Sequence, residues 1–173
     1  MKENITELIS EEKIENRIRE MAAQIEKDYA GEEVLFICTL RGAAFFACEL
    51  AKRTKLPINI DFIAVKSYGM SSESSGNIKL LKDLDEDIAD RHVLVIEDII
   101  DTGRTLSYLM ENLKKRNPKS LKLCALLDKP ARRVKPIEAD YVGFTIEDLF
   151  VVGYGLDYAQ KYRNLPFVGI VDI

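Results

Sequence analysis

The stretch VLVIEDIIDTGRTL, residues 93–106, decides how this chain is read. Val93 to Ile96 form an apolar run of the kind that marks a strand buried on both faces. Glu97 and Asp98 end that run. Unpaired buried acids are costly, so two adjacent carboxylates in this position require something cationic or hydroxyl-rich to meet them. Asp101-Thr102-Gly103-Arg104-Thr105 then brings a glycine, two hydroxyls and several backbone N–H groups to the start of a predicted helix. There the helix dipole and the unpaired donors favour a phosphate. An Asp/Thr helix cap beside a solvated acidic loop is the competing reading of Asp-Thr-Gly alone, and the acidic pair directly upstream outweighs it.

Outward from this stretch, strand and helix signals alternate. Ser10 is placed to cap a helix whose apolar positions Ile14, Ile18, Met21 and Ile25 recur at helical spacing, with Glu11 and Glu12 suiting its positive end. VLFICTL (34–40) reads as a strand, Arg41-Gly42 as a loop and AAFFACELAK (43–52) as a helix. INIDFIAVKSY (58–68) reads as a further strand running into GMSSESSGN (69–77), the most turn-rich segment, which is expected to be a mobile loop. LLKDLDEDIADRH (80–92) reads as a charged turn leading to the central strand. After the helix bearing Leu106, Leu109, Met110 and Leu113 come SLKLCALLD (120–128) and three short strand-like runs in the tail, separated by turns and one short helical stretch. This order predicts an α/β protein: one domain over 1–173 with a mostly parallel central sheet flanked by helices, its ligands beyond the carboxyl ends of the strands.

Composition bounds the function. A chain of 173 residues with 47% hydrophobic and 31% charged residues lies in the globular range, with no apolar run of the length a membrane span needs. The charged first twenty residues lack the apolar core of a secretory signal, so the expected setting is the cytoplasm. Cys38, Cys48 and Cys124 lack metal-ligand spacing and are expected to be reduced packing residues. A net charge of −4 argues against a broad nucleic-acid surface, although clustered cations can still hold a small anion. His92, ahead of a strand, is expected at the surface.

EDIIDTGRTL (97–106) resembles the signature of the type I phosphoribosyltransferases, and in particular of their hypoxanthine-guanine branch; the likeness extends from Leu35 to Val171. It implies the type I phosphoribosyltransferase fold, with a small hood built from the terminal segments. It also implies transfer of the phosphoribosyl group of 5-phosphoribosyl-1-pyrophosphate (PRPP) to hypoxanthine or guanine, giving IMP or GMP and pyrophosphate. Glu97 and Asp98 would then face the ribose hydroxyls and a hydrated Mg2+, residues 101–105 would hold the 5′-phosphate, and Asp101 would act as general base near N7 of the purine. Thr39-Leu40-Arg41-Gly42 resembles the family's pyrophosphate loop, where Leu40, Arg41 and Gly42 would span an unusual cis bond. Lys66-Ser67-Tyr68-Gly69 resembles its mobile lid, with Ser67 and Tyr68 as the characteristic pair.

In the tail the same resemblance makes Lys129 the donor to the 6-oxo group, Phe150 the stacking aromatic, Val151 a main-chain contact to the base edge, Asp157 a carboxylate at a second Mg2+ and Arg163 a pyrophosphate ligand. Leu149 departs from the pattern, since many relatives carry a charged residue there. A xanthine- or adenine-directed phosphoribosyltransferase, or a PRPP-sensing nucleic-acid-binding regulator of the same fold, are the alternatives. The resemblance also implies a homodimer or homotetramer; the acidic balance and the lack of a long apolar run lead us to expect neither nucleic acid nor membrane as a partner.

Overall fold

A computed structural model describes residues 3–68 and 77–172, with the backbone alone at positions 68 and 77. Its central strand is β5 (His92–Ile100), flanked on one side by β2 (Val34–Thr39) and on the other by β6 (Ser120–Asp128). β3 (Ile58–Tyr68) lies outside β2, and β7 (Tyr141–Thr145) outside β6. These five strands are parallel, and β4 (Asn77–Lys82) adds an antiparallel edge to β3.

The apolar runs are continuous because both faces of this sheet are covered. Side chains alternate along each strand. Phe36, Cys38, Leu94, Ile96, Cys124 and Leu126 pack toward α1 (Glu11–Asp28) and α2 (Ala44–Arg53). Leu35, Ile37, Val93, Val95, Leu123 and Ala125 pack toward α3 (Arg104–Lys114). α1 buries Ile14, Ile18, Met21 and Ile25 as its periodicity predicts, and Ser10 Oγ accepts from Lys13 N at its start. Arg17 of that helix donates to the Val142 and Gly143 carbonyls and so covers backbone on the edge strand β7.

The chain enters the sheet at β2, moves outward to β3 and returns across β2 to β5 before running on to β6 and β7. Strand order therefore reverses between β2 and β5. Beyond the carboxyl ends of two such strands the connections diverge and leave a crevice. A second, three-stranded antiparallel sheet stands apart: β1 (Asn4–Ile9), β9 (Val168–Asp172) and β8 (Val151–Val152). It is the hood, built from both terminal segments as expected.

Two strands escape a reading of periodicity. β1 is largely exposed and becomes a strand because β9, from the far end of the chain, pairs with it. β4 includes the first residues of what reads as a charged turn, and its partner β3 supplies the ladder. The expected helical stretch in the tail is not there: 154–165 forms turns and isolated bridges, with Tyr154, Ala159, Gln160 and Tyr162 all at positive φ. His92 is not a free surface residue either. Its side chain is 16% exposed, with Nδ1 2.6 Å from Ser120 Oγ and the ring edge-on to Tyr29. Cys38 and Cys124 are buried packing residues, whereas Cys48 is exposed. Among the described residues no helix is long and apolar enough to cross a membrane.

Leu94, fully buried at the centre of the sheet, gives a test of this packing. Leu94→Ala is expected to lower unfolding free energy by about 2–5 kcal/mol, read as a fall in the urea midpoint with an unchanged slope.

Candidate active site

At the reversal point Thr39 ends β2 and Glu97 nears the end of β5. Thr39 Oγ1 lies 2.9 Å from Glu97 Oε1 and 3.0 Å from the Ile96 carbonyl, and Asp98 N donates to Glu97 Oε1 at 3.1 Å. Neither Glu97 nor Asp98 makes an ion pair with another described residue. Burial, with the Asp98 carboxylate beside it, holds the Glu97 carboxyl well above its usual range. Protein groups therefore solvate this acid pair only in part. Hard oxygen donors next to an open cleft, short of counter-charge, fit a divalent cation that keeps most of its waters.

Gly42 lies directly against this pair. A Cβ there would fall 1.6 Å from Asp98 Oδ2, so only a residue without a side chain brings the 40–42 loop this close to the acids. The Leu40–Arg41 peptide bond is cis. Arg41 Nη1 donates to Gln160 Oε1 at 3.1 Å, and Arg163 Nη2 reaches the same oxygen at 3.3 Å. Arg163 also pairs with Asp157 at 2.7 Å and donates to the Gly155 carbonyl, while Gln160 N donates to Asp157 Oδ2. The structure thus brings together Arg41, Arg163 and Asp157, and adds Gln160. No local pattern marks Gln160; its role comes from a turn with left-handed residues at 159 and 160.

On the other side of the acid pair, residues 101–103 form a bend and α3 begins at Arg104. Gly103 adopts φ 78° and serves as the N-cap with no side chain of its own to cap the helix; Arg104 N, the first N–H of α3, reaches Thr102 Oγ1 at 3.5 Å. The loop is braced from outside: Val134 N and Lys135 N donate to the Thr102 carbonyl, and Arg133 donates to the Asp101 carbonyl while pairing with Asp128. A cleft of about 330 Å³ is lined by Thr39, Leu40, Glu97, Asp101, Thr102 and Thr105, among others. Larger hollows beside α3 and behind β7 collect no comparable set of groups.

Lys129 follows directly on β6, and its N–H bonds to the Ile100 carbonyl at the end of β5. Its side chain is 7% exposed, with the ammonium 3.6 Å from Asp148 Oδ1. Phe150 presents a 46% exposed ring, edge-on to Tyr158 at 5.7 Å. Val151 is buried in β8, and Leu149 packs against the core on the α1 side, which accounts for an apolar residue there. Ser67 lies at the exposed end of β3, opposite Ile78. The Tyr68 side chain and residues 69–76, where the lid is expected, fall outside the described residues. Sequence reading passed over Arg132, Arg133 and Asp148, which composition shows only as ordinary charges.

A phosphoribosyl transferase domain model matches residues 4–159, and the chain belongs to that family. Within it the likeness is to the hypoxanthine-guanine branch. The hypoxanthine phosphoribosyltransferase of Buchnera aphidicola is 49% identical, the alignment covering 99% of this chain and 98% of that protein. A crystal structure of a hypoxanthine-guanine phosphoribosyltransferase from Bacillus anthracis superposes with a TM-score of 0.93 at 49% identity, covering 98% of this chain and all of that one. The bifunctional TilS/HprT protein of Listeria monocytogenes is 52% identical over 95% of this chain, which spans only 25% of that longer protein.

The acid pair sets a pH dependence. Glu97 carries a folded-state pKa above its unfolded value, so in the metal-free protein the folded state loses stability as pH rises from the ordinary glutamate range toward the raised value. Below that range the carboxyl is neutral in both states and no penalty remains. Glu97→Gln is expected to melt higher than the parent at pH 8 in chelator and to lose that advantage near pH 4; the same difference at both pH values would contradict the assignment.

Proposed function

We propose that this chain transfers the 5-phosphoribosyl group of PRPP to hypoxanthine or guanine in purine salvage, giving IMP or GMP and pyrophosphate. The observation that carries the reading is the convergence, at the strand-order reversal, of the Glu97–Asp98 pair with the Gly42 loop on one side and the Gly103 loop on the other. Next to them, the Lys129 backbone is tied to the end of β5.

In this reading Thr102, Gly103, Arg104 and Thr105 hold the 5′-phosphate through backbone N–H groups, hydroxyls and the start of α3. Glu97 and Asp98 would accept from the ribose hydroxyls and hold a hydrated magnesium, Asp157 would serve a second, and these ions would neutralise charge on the pyrophosphate. Leu40, Arg41, Gly42 and Arg163 receive the pyrophosphate, Arg163 exchanging its contact with Asp157 for phosphate oxygens. Lys129 donates to the 6-oxo group, Phe150 stacks on the ring and Val151 offers main-chain groups to its edge. Asp101 takes the N7 proton as the new glycosidic bond forms. Ser67 and Tyr68 belong to the lid that keeps water from the ribosyl centre. Positioning and fixed charge supply most of the acceleration, with inversion at C1′. The expected setting is the cytoplasm, where the three free thiols stay reduced, and the expected assembly is a homodimer or homotetramer.

A panel of purine bases incubated with PRPP and Mg2+ tests the reading: hypoxanthine and guanine are expected to give nucleotide, adenine is not, and excess chelator is expected to stop turnover. Nucleotide from adenine alone would overturn it.

Asp101→Asn keeps the side chain's size and one oxygen that can accept a hydrogen bond but cannot accept a proton. Its single-turnover rate with hypoxanthine is expected to fall roughly 10²–10⁴-fold with little change in melting temperature. A chemical step at wild-type speed would remove Asp101 from the reaction.

A further inference from the structure

We propose that Arg132 and Asp148 are positioning residues for base selection: they link Lys129 to Asp101 through a single ionic relay and so fix the spacing between the group that reads the 6-oxo position and the group that meets N7. This inference rests on the transferase reading above and assigns roles to two residues outside it.

The relay has three contacts. The Lys129 ammonium has one ion-pair partner among the described residues, Asp148 Oδ1 at 3.6 Å. The same oxygen faces Arg132 Nη1 at 3.7 Å. Arg132 Nε, in turn, lies 3.3 Å from Asp101 Oδ1. That oxygen is hidden from solvent and accepts no aligned hydrogen bond, so the guanidinium beside it is its compensation. The Asp101 side chain as a whole is still 42% exposed, which leaves Oδ2 as the oxygen open to a ligand.

Local chain geometry dictates the arrangement. Pro130 starts a single 3-10 turn over Pro130–Arg132, closed by Arg132 N to the Lys129 carbonyl, and this folds Arg132 back past Lys129. Asp148 arrives from the other direction. Ile146 N is bonded to the Asp128 carbonyl, Leu149 N to the Glu147 carbonyl, and Leu149 packs into the core, which sets Asp148 on the opposite side of the backbone.

The energetics separate positioning from stability. Arg132 and Asp148 are 49% and 53% exposed, and pairs this open contribute little to folding. Lys129 is different, because a nearly buried ammonium without counter-charge is disfavoured. Asp148 therefore aims the Lys129 ammonium, and Arg132 fixes one oxygen of Asp101 so that the other is presented. A 6-oxopurine offers an acceptor at its 6-position beside N7, the pair of neighbouring atoms that such a donor and acceptor would engage. A 6-aminopurine places a donor against Lys129.

The test combines equilibrium binding with kinetics on Asp148→Asn, Asp148→Glu and Arg132→Ala. By calorimetry, Asp148→Asn is expected to weaken IMP roughly 10-fold or more while ribose 5-phosphate binds as to the parent. In turnover it is expected to raise the KM for hypoxanthine with the KM for PRPP unchanged, Asp148→Glu recovering part of the loss. Arg132→Ala is expected to lower kcat more than it raises the KM for hypoxanthine. Arg132→Ala should melt close to the parent, whereas Asp148→Asn should melt lower because it leaves the Lys129 ammonium without its counter-charge, with Asp148→Glu between the two. Wild-type IMP affinity and hypoxanthine KM in Asp148→Asn would overturn the proposal, as would a parallel loss of ribose 5-phosphate binding. If the parent itself makes no nucleotide from any 6-oxopurine, the transferase reading fails, and the relay's role fails with it.

Discussion

A pair of carboxylates at the end of a buried strand is an unfavourable thing to fold. Glu97 is buried, its neighbour Asp98 is also an acid, and the principal side-chain compensation is one threonine hydroxyl from the adjacent strand. The fold tolerates this because the acids stand where strand order reverses, with Glu97 lining a cleft shared with Thr39 and the 101–105 loop. The surrounding site is arranged around that vacancy of charge: Gly42 has no side chain because Asp98 is there, and the Gly103 loop opens a helix toward the same cleft. In the proposed reading, these unfavourable electrostatics become binding energy once a cation and the ribose hydroxyls arrive.

Two sheets divide the labour. The covered parallel sheet fixes the ends of β2, β5 and β6, so Thr39, Glu97 and Lys129 are placed by strands rather than by loops. The antiparallel hood carries Val151, and the turns beside it bring Gln160 against Arg41 and hold Arg163 to Asp157, with Phe150 edge-on to Tyr158. Its pairing of β1 with β9 means that the two ends of the chain hold one wall of the site together. Arg41 and Gln160 join that wall to the core sheet through one hydrogen bond, a contact that a bound anion would replace or extend.

Much of this was legible in the sequence. The helical spacing of Ile14, Ile18, Met21 and Ile25, the apolar runs of β2, β5 and β6, and the Asp-Thr-Gly turn state their roles locally, because burial and φ preference act on near neighbours in the chain. The acid pair was legible for the same reason: carboxylates after an apolar run contradict their surroundings unless a ligand resolves them. The tertiary structure alone decided that Asn4–Ile9 and Asn77–Lys82 are strands, since each depends on a partner whose pairing carries no local mark. It likewise decided that Gln160 touches Arg41, and that Arg132 stands between Asp101 and Asp148. Charged and amide side chains look alike in a sequence wherever they are solvated; what distinguishes these few is the direction in which a turn points them, and long-range packing sets that direction.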